Sequence, residues 1–234
     1  MQIGLQIGLQ MMKRVVVPEL LDNDAGTLRE IEDSLADLRM FNRRFGGVSV
    51  MSTLLLEVAT RKRLTTISFL DVAGASGDVA TLSGEFLARH GITLKPVLLD
   101  RAASHLNRSQ PAVCGDALAL PFADNSFDVV GSSLFLHHLE PGQIVAFTNE
   151  ALRVARHAFL VNDLVRNPVH LAVAEAGRLI YRSRITRHDA PASVRRAYTV
   201  REMKDFVAQT KAESFQIGTY YFFRMGGIAW NRHV

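Results

Sequence analysis

Cysteine is nearly absent: among 234 residues there is one, Cys114. A disulfide framework is therefore excluded, and the usage fits a reducing compartment, so a cytoplasmic protein is expected. No apolar run reaches the roughly 18 to 20 residues that a membrane-spanning helix needs, so no integral span is expected. A secretory leader is not indicated, because Lys13 and Arg14 follow the first apolar stretch instead of preceding it. Repeats of domain size and interdomain linkers are missing too. The one repeat is short: residues 2–9 read Gln-Ile-Gly-Leu twice. Such a prefix is expected to be mobile, with Met11 or Met12 as an alternative start.

A uniform excess of charge is also lacking. The net charge of +4 is local: between Ala176 and Arg201 seven arginines (178, 182, 184, 187, 195, 196, 201) face one acid, Asp189, so the remainder is acidic on balance. The basic character is thus no sign of a nucleic-acid partner. What is present is ordinary for a globular protein: 48% hydrophobic and 21% charged residues, in a length that suits one well-cored domain.

The most informative stretch is Ile67–Ala80, ISFLDVAGASGDVA. Ile67 to Leu70 read as a buried strand. Asp71 follows, then the small-residue run 73–77, then helical apolar spacing at Val79, Leu82, Phe86 and Leu87. A strand that ends in small residues and opens a helix lets a ligand approach the backbone and meet free N–H groups. Only Gly74 and Gly77 are glycines here, so the turn is not the dinucleotide G-x-G-x-x-G fingerprint. It resembles motif I of the class I S-adenosylmethionine-dependent methyltransferases, in the D-x-A-G-G-T-G-D form of the quinone-biosynthesis C-methyltransferases. Asp71, Ala73, Gly74, Gly77 and Asp78 match that form, Ser76 is a mild change, and Ala75 replaces a glycine.

The resemblance implies an α/β fold: a Rossmann-like, seven-stranded, mostly parallel sheet with an antiparallel C-terminal strand, in an α/β/α sandwich. The alternation of strand, turn and helix independently argues for a parallel sheet. The expected order is an extended or mobile segment at 1–26, helices at 27–64, a cofactor-binding core at 65–165, a substrate-covering insertion at 166–201, and a closing helix and strands at 202–234. Thr27 and Glu30 have capping-box spacing, with Leu28, Ile31, Leu35, Leu38, Phe41 and Phe45 on one helical face. Gly46-Gly47 ends that helix, and a second runs from Val50 to Arg61.

Leu94–Leu99 reads as the second strand and ends in Asp100. An acid at this place accepts ribose hydroxyls in nucleotide-type folds; it also suits a helix cap. The run GDALALPFADNSFDVV (115–130) resembles the family pattern in which an Asp-Ala pair meets adenine, which implies Asp116 at the amino group and Ala117 at a ring nitrogen. The resemblance thus gives a cofactor set of Asp71, Ala73, Gly74, Ala75, Gly77, Asp100, Arg101, Asp116, Ala117 and Ser133 for S-adenosyl-L-methionine. After strand four come His137 and His138. Histidine suits general-base work near neutral pH; the alternative is that this H-H-L packs the loop. Asp163 ends strand five, but the Asp-Asn pair of the metal-dependent catechol type is not evident, so no metal is expected. The L-K-P-G-G turn before strand five is missing.

Pro168–Arg182 reads as a helix and ITRHDAPASVRRAYT as a polar loop over the acceptor. His188 is a third candidate base there, and Arg187, Arg196 and Tyr198 are candidate substrate contacts. Paired N–H donors of arginine suit an anionic or phenolate acceptor; a solvated face or contact with anionic lipid are the alternatives. Two closing strands, 213–218 and 220–230, place their aromatics alternately in core and surface. Cys114 is expected in the interior. The function expected is methylation of a small phenolic, polyketide-like or quinone-type acceptor at oxygen or carbon, by a monomer or homodimer with room for peripheral membrane contact. A catalytically silent cofactor-binding module and a nicotinamide-dependent oxidoreductase are the alternatives.

Overall fold

A computed structural model describes residues 12–106 and 110–232; the expectations for residues 2–9 lie outside them. Seven strands form one sheet in the order β3-β2-β1-β4-β5-β7-β6: β1 (Thr66–Val72), β2 (Thr93–Asp100), β3 (Ala112–Cys114), β4 (Phe127–Ser133), β5 (Ala155–Leu164), β6 (Ser214–Tyr221) and β7 (Arg224–Trp230). The first five strands run parallel, and β7 pairs antiparallel with both β5 and β6. This is the expected Rossmann-like arrangement.

Alternate strand residues feed two cores. Phe69, Val129, Leu160 and Ile228 pack against α2 (Gly47–Lys62) and α3 (Asp78–Ala88). Their neighbours Leu70, Val130, Phe159 and Ala229 pack on the opposite face, with Phe147 of α4 (Pro141–Val154) and Met203 of α7 (Val200–Val207). A sheet buried on both faces explains why its strands read as apolar runs rather than alternating ones. Strand order reverses between β2-β1 and β4-β5, so the crevice beyond the carboxyl ends of β1 and β4 is the ligand position of this architecture. Helix α4 ends at Val154 and β5 begins at Ala155, with no residue between. The missing glycine turn is thus a real shortening.

Several expectations are corrected. Helix α1 (Leu28–Arg44) has its capping box at Thr27 and Glu30, but its buried residues are Ser34, Asp37 and Asn42. The apolar stripe is left partly open, with Leu28 83% and Phe45 52% exposed. The burial of these polar residues has a cause in hydrogen bonding: Asp37 Oδ2 accepts from the N–H groups of Arg182 and Ser183, and Thr186 Oγ1 donates to Ser34 Oγ. Asn42 spans Asp78 and Arg224. The helix expected at Pro168–Arg182 ends at Ala176 as α5 (Pro168–Ala176). The expected polar loop is instead α6 (Arg184–Arg196), whose N-cap Ser183 accepts from the Ile185 N–H. Its buried Ile185, Asp189, Ala192 and Ser193 recur at helical spacing, and Pro191 is held inside it. Cys114 is exposed on edge strand β3. Among the closing aromatics Trp230 is buried, whereas Tyr220, Tyr221 and Phe222 crowd the hairpin end and stay accessible.

Residues 12–20 run without helix or strand and are tied across the domain. The Val15 N–H bonds to the Arg195 carbonyl, and the Arg14 guanidinium donates to Arg196 and stacks on the Tyr198 ring. Asp189 accepts from the N–H groups of both Leu20 and Leu21. This strap closes over the loop that follows β4. Among the described residues no helix is long and apolar enough to cross a membrane.

Candidate active site

The turn after β1 is built from left-handed backbone. Ala73 has φ +57°, Ala75 φ +41° and Gly77 φ +68°. Glycine adopts this region freely; alanine there costs of order 1 kcal/mol. At Gly74 a Cβ would lie 2.9 Å from the Asp71 carbonyl oxygen and 3.0 Å from its Cγ, so the chain folds back on Asp71 only because the side chain is missing. Residues 73–76 stay half-exposed, leaving the backbone open to a ligand. Relieving one of the two strained alanines is testable. Ala75→Gly is expected to raise stability by about 1 kcal/mol or slightly less, read as a melting-point rise of about 2–4 °C.

Three carboxylates stand at the carboxyl ends of adjacent strands. Asp71 is the penultimate residue of β1 and is 1% exposed. Its Oδ1 is buried without a hydrogen-bond partner. Burial, followed by repulsion from Asp78 and Asp100, pushes its carboxyl up to about 8. Asp100 ends β2, with Oδ2 accepting from the Ala75 N–H at 3.2 Å and Oδ1 from the Ala102 N–H at 2.9 Å. The Gly115 N–H bonds to the Asp100 carbonyl. Asp116 therefore lies one strand further out, exposed, with Oδ1 accepting from the Leu118 N–H. Arg101 is exposed beside Asp100 and Ala117 half-buried beside Asp116. Ser133 ends β4, and its hydroxyl accepts from Asn162 Nδ2. The next residue, Leu134, is also left-handed at φ +56°. Nine of these ten positions lie at or after the ends of β1, β2 and β3 on one side of the switch in strand order, and Ser133 ends β4 on the other. Their fit to an adenosyl group rests on the unpartnered Asp71 oxygen, the cleared position at Gly74 and the half-exposed turn.

The candidate acceptor-side residues are used differently. His137 is 2% exposed; its Nδ1 lies 2.6 Å from Asp163 Oδ1, and its Nε2 faces Glu19 Oε1 at 3.6 Å. Burial opposes a charge on this ring, but Asp163 and then Glu19 outweigh it and the imidazole is pushed up to about 10. His138 Nδ1 bonds to Asp22 Oδ2 at 3.1 Å. His188 lies on α6 with Nδ1 2.8 Å from Asp189 Oδ1, half-exposed and paired within its own helix. Arg187 donates to the Tyr181 carbonyl. Arg196 donates to the His138 carbonyl and pairs with Asp22. Tyr198 is buried, its hydroxyl donates to the Leu139 carbonyl at 2.8 Å, and burial pushes it up to about 12. His137, His138 and Arg196 are therefore brought together, while Arg187 and His188 hold the insertion. For Tyr198→Phe a loss of about 1 kcal/mol is expected, measured by denaturant titration. A raised acceptor KM at unchanged stability would return the hydroxyl to the substrate.

Sequence reasoning missed Glu19, Asp22, Asn42 and Arg224. Arg224 is buried on β7; burial brings it down to about 10 against the pull of Asp163 and Asp78. Asp78 carried a signal through its match to the turn motif. Glu19 carried none, since it meets a residue 118 positions later.

A family model described as "Methyltransferase domain" matches residues 70–158. A demethylmenaquinone methyltransferase of Roseiflexus sp. (strain RS-1) is 31% identical over 63% of this chain and 67% of its own length. The ubiquinone/menaquinone biosynthesis C-methyltransferases UbiE of Ruegeria sp. (strain TM1040) and Roseobacter denitrificans are 37% and 41% identical, and the match spans 37% of each. Among solved structures, the plantazolicin methyltransferase BpumL with SAH superposes with TM-score 0.67 at 14% identity, covering 91% of this chain and 93% of that one. Human N-acetylserotonin methyltransferase with SAM does so with TM-score 0.58 at 14% identity, covering 86% and 56%. At these identities the superpositions speak to the fold.

Proposed function

The chain belongs to the class I S-adenosylmethionine-dependent methyltransferases, and we propose that it methylates a small apolar acceptor of the phenolic, polyketide-like or quinone type. The observation that carries the reading is the turn 73–77 with its cleared backbone, set against Asp71, Asp100 and Asp116 on three adjacent strand ends. Asp100 and Arg101 would hold the ribose, Asp116 and Ala117 the adenine, and the 73–77 turn with Asp71 and Ser133 the amino-acid end. When bound, the cofactor supplies a methyl group already activated by its sulfonium. The chain's own contribution is to hold the acceptor in line and keep water out. The strap 12–26, α1, α5 and α6 gather at the same end of the sheet and supply that cover.

Two further features support an apolar acceptor. Phe45, Val169, Val173, Tyr221 and Phe222 are exposed; Val169 and Val173 flank His170 on α5, and Phe222 precedes Phe223 at the hairpin turn. Phe45 packs near Phe41, which meets Tyr181, and His170 stacks on Phe223, whose carbonyl accepts from the Val165 N–H. The relatives' names also point to quinones. His137 has both ring nitrogens turned to carboxylates, so of the candidate bases His138 and His188 are the ones left with exposed ring area. The test is calorimetric titration with S-adenosylhomocysteine, followed by turnover on a panel of quinols, phenols and apolar carboxylic acids. Binding with methylation of a quinol or phenol is the expected result. Tight binding without turnover on the whole panel would make the chain a silent cofactor-binding module. No binding would sink the reading.

A further inference from the structure

Glu19, His137 and His138 converge in a way that a base role for His138 does not require. The Nε2 atoms of both histidines point at one oxygen, Glu19 Oε1, at 3.6 Å and 3.8 Å. That oxygen is buried and accepts no hydrogen bond. The separations exceed a hydrogen bond. They lie a few tenths of an ångström beyond the roughly 3.3 Å edge of a tetrahedron whose bonds to nitrogen are about 2.0–2.1 Å. The three donor atoms lie within 4.8 Å of one another.

The opposite side of each ring is fixed. His137 Nδ1 meets Asp163 Oδ1 at 2.6 Å, and Asp163 Oδ2 also accepts the His137 backbone N–H. His138 Nδ1 meets Asp22 Oδ2. A carboxylate at Nδ1 sets the tautomer that presents Nε2 as a lone-pair donor, and it is the usual outer partner of a metal-bound histidine. Charge favours the same occupant. Three carboxylates (19, 22, 163) surround the rings, and Arg196, 3.9 Å from Glu19 and 3.5 Å from Asp22, is the one guanidinium in ion-pair range of them among the described residues. With His137 protonated between its two carboxylates the cluster still keeps an excess of one negative charge, and a cation at Nε2 would take the place of that proton.

We infer that Glu19, His137 and His138 form a site for a divalent transition cation of the zinc class, which fastens the N-terminal strap to the loop after β4. Two imidazoles and one carboxylate suit zinc better than calcium or magnesium. Sequence reasoning looked for an Asp-Asn pair and expected no metal; this donor set is a different one, and one of its members comes from the strap.

The experiment uses the full chain, stripped with a chelator and titrated with zinc chloride. About one equivalent of zinc per chain is expected, with a rise in melting temperature and slower proteolysis within residues 12–26. Glu19→Gln keeps size and burial but removes the donor charge, and should weaken zinc binding at least tenfold and abolish the melting shift. His138→Gln, at the more accessible ring, should do the same and guards against a folding defect at the buried His137. Binding of less than half an equivalent, or equal zinc affinity in wild type and Glu19→Gln, would overturn the site. So would a zinc-induced melting shift that survives in both variants. The readouts are metal content and stability, so a failed methylation assay leaves the result interpretable.

Discussion

Replacing Asp100 by alanine should lower the affinity for S-adenosylhomocysteine between about ten- and a hundredfold, the scale of losing charge-assisted hydrogen bonds. The carboxylate stands at the end of β2, one strand from the turn, and reaches it: Oδ2 accepts from the Ala75 N–H and Oδ1 from the Ala102 N–H. It therefore shapes the turn, and in the proposed site it would also offer charge to a ribose. Alanine removes both contributions. Asp100→Asn keeps one acceptor oxygen and should fall between wild type and alanine. Calorimetric titration of the three proteins checks the order, and equal affinities would take Asp100 out of the cofactor site.

Asp71→Asn should make the ligand-free protein more stable at pH 8 and leave it nearly unchanged at pH 4. The folded-state carboxyl is raised to about 8 by burial and by Asp78 and Asp100, against about 3.9 in the unfolded chain. Between these values the folded state holds a proton that the unfolded state does not. Stability due to this group is therefore full below about pH 4 and declines as pH rises toward 8. The decline is on the order of 3–4 kcal/mol between pH 4 and pH 7, at about 1.4 kcal/mol per unit. An amide of the same shape cannot ionise, so the variant loses this slope. At pH 8 a melting-point gain of at least about 5 °C is expected. A variant that melts in parallel with wild type from pH 5 to 8 would mean that Asp71 is ionised and solvated in the folded protein.

The sheet and the turn were legible because their signals are local. Ile67 to Leu70, Leu94 to Leu99 and Phe127 to Ser132 are short, largely apolar stretches bounded by turn signals, the local pattern of strands in a covered sheet. The small residues at 73–77 announce a tight turn whatever lies around it. The cap was less legible because its causes are distant. Helix α1 looked amphipathic in the usual sense, yet Asp37 is buried to receive the backbone of Arg182 and Ser183, a partner that no window around residue 37 contains. Helix α6 hid behind Pro191 and a run of arginines, although Ile185, Asp189, Ala192 and Ser193 hold helical spacing. At the site, the turn residues and Asp100 could be read in sequence. The pairing of Glu19 with His137 could not, because a lone acid after Pro18 has no pattern to mark it.

The strap also constrains the order in which the molecule can be completed during synthesis. Residues 14–21 leave the ribosome early, but their anchors at Asp189, Arg195 and Arg196 are made some 170 to 180 positions later. At about 5–20 residues per second that is a wait on the order of ten to forty seconds. During it the sheet around β1 and β4 can form while the opening segment hangs free. A ribosome stalled before α6 would thus hold a formed β1–β4 region with an undocked strap, a species open to proteases at residues that the finished protein ties down by backbone hydrogen bonds.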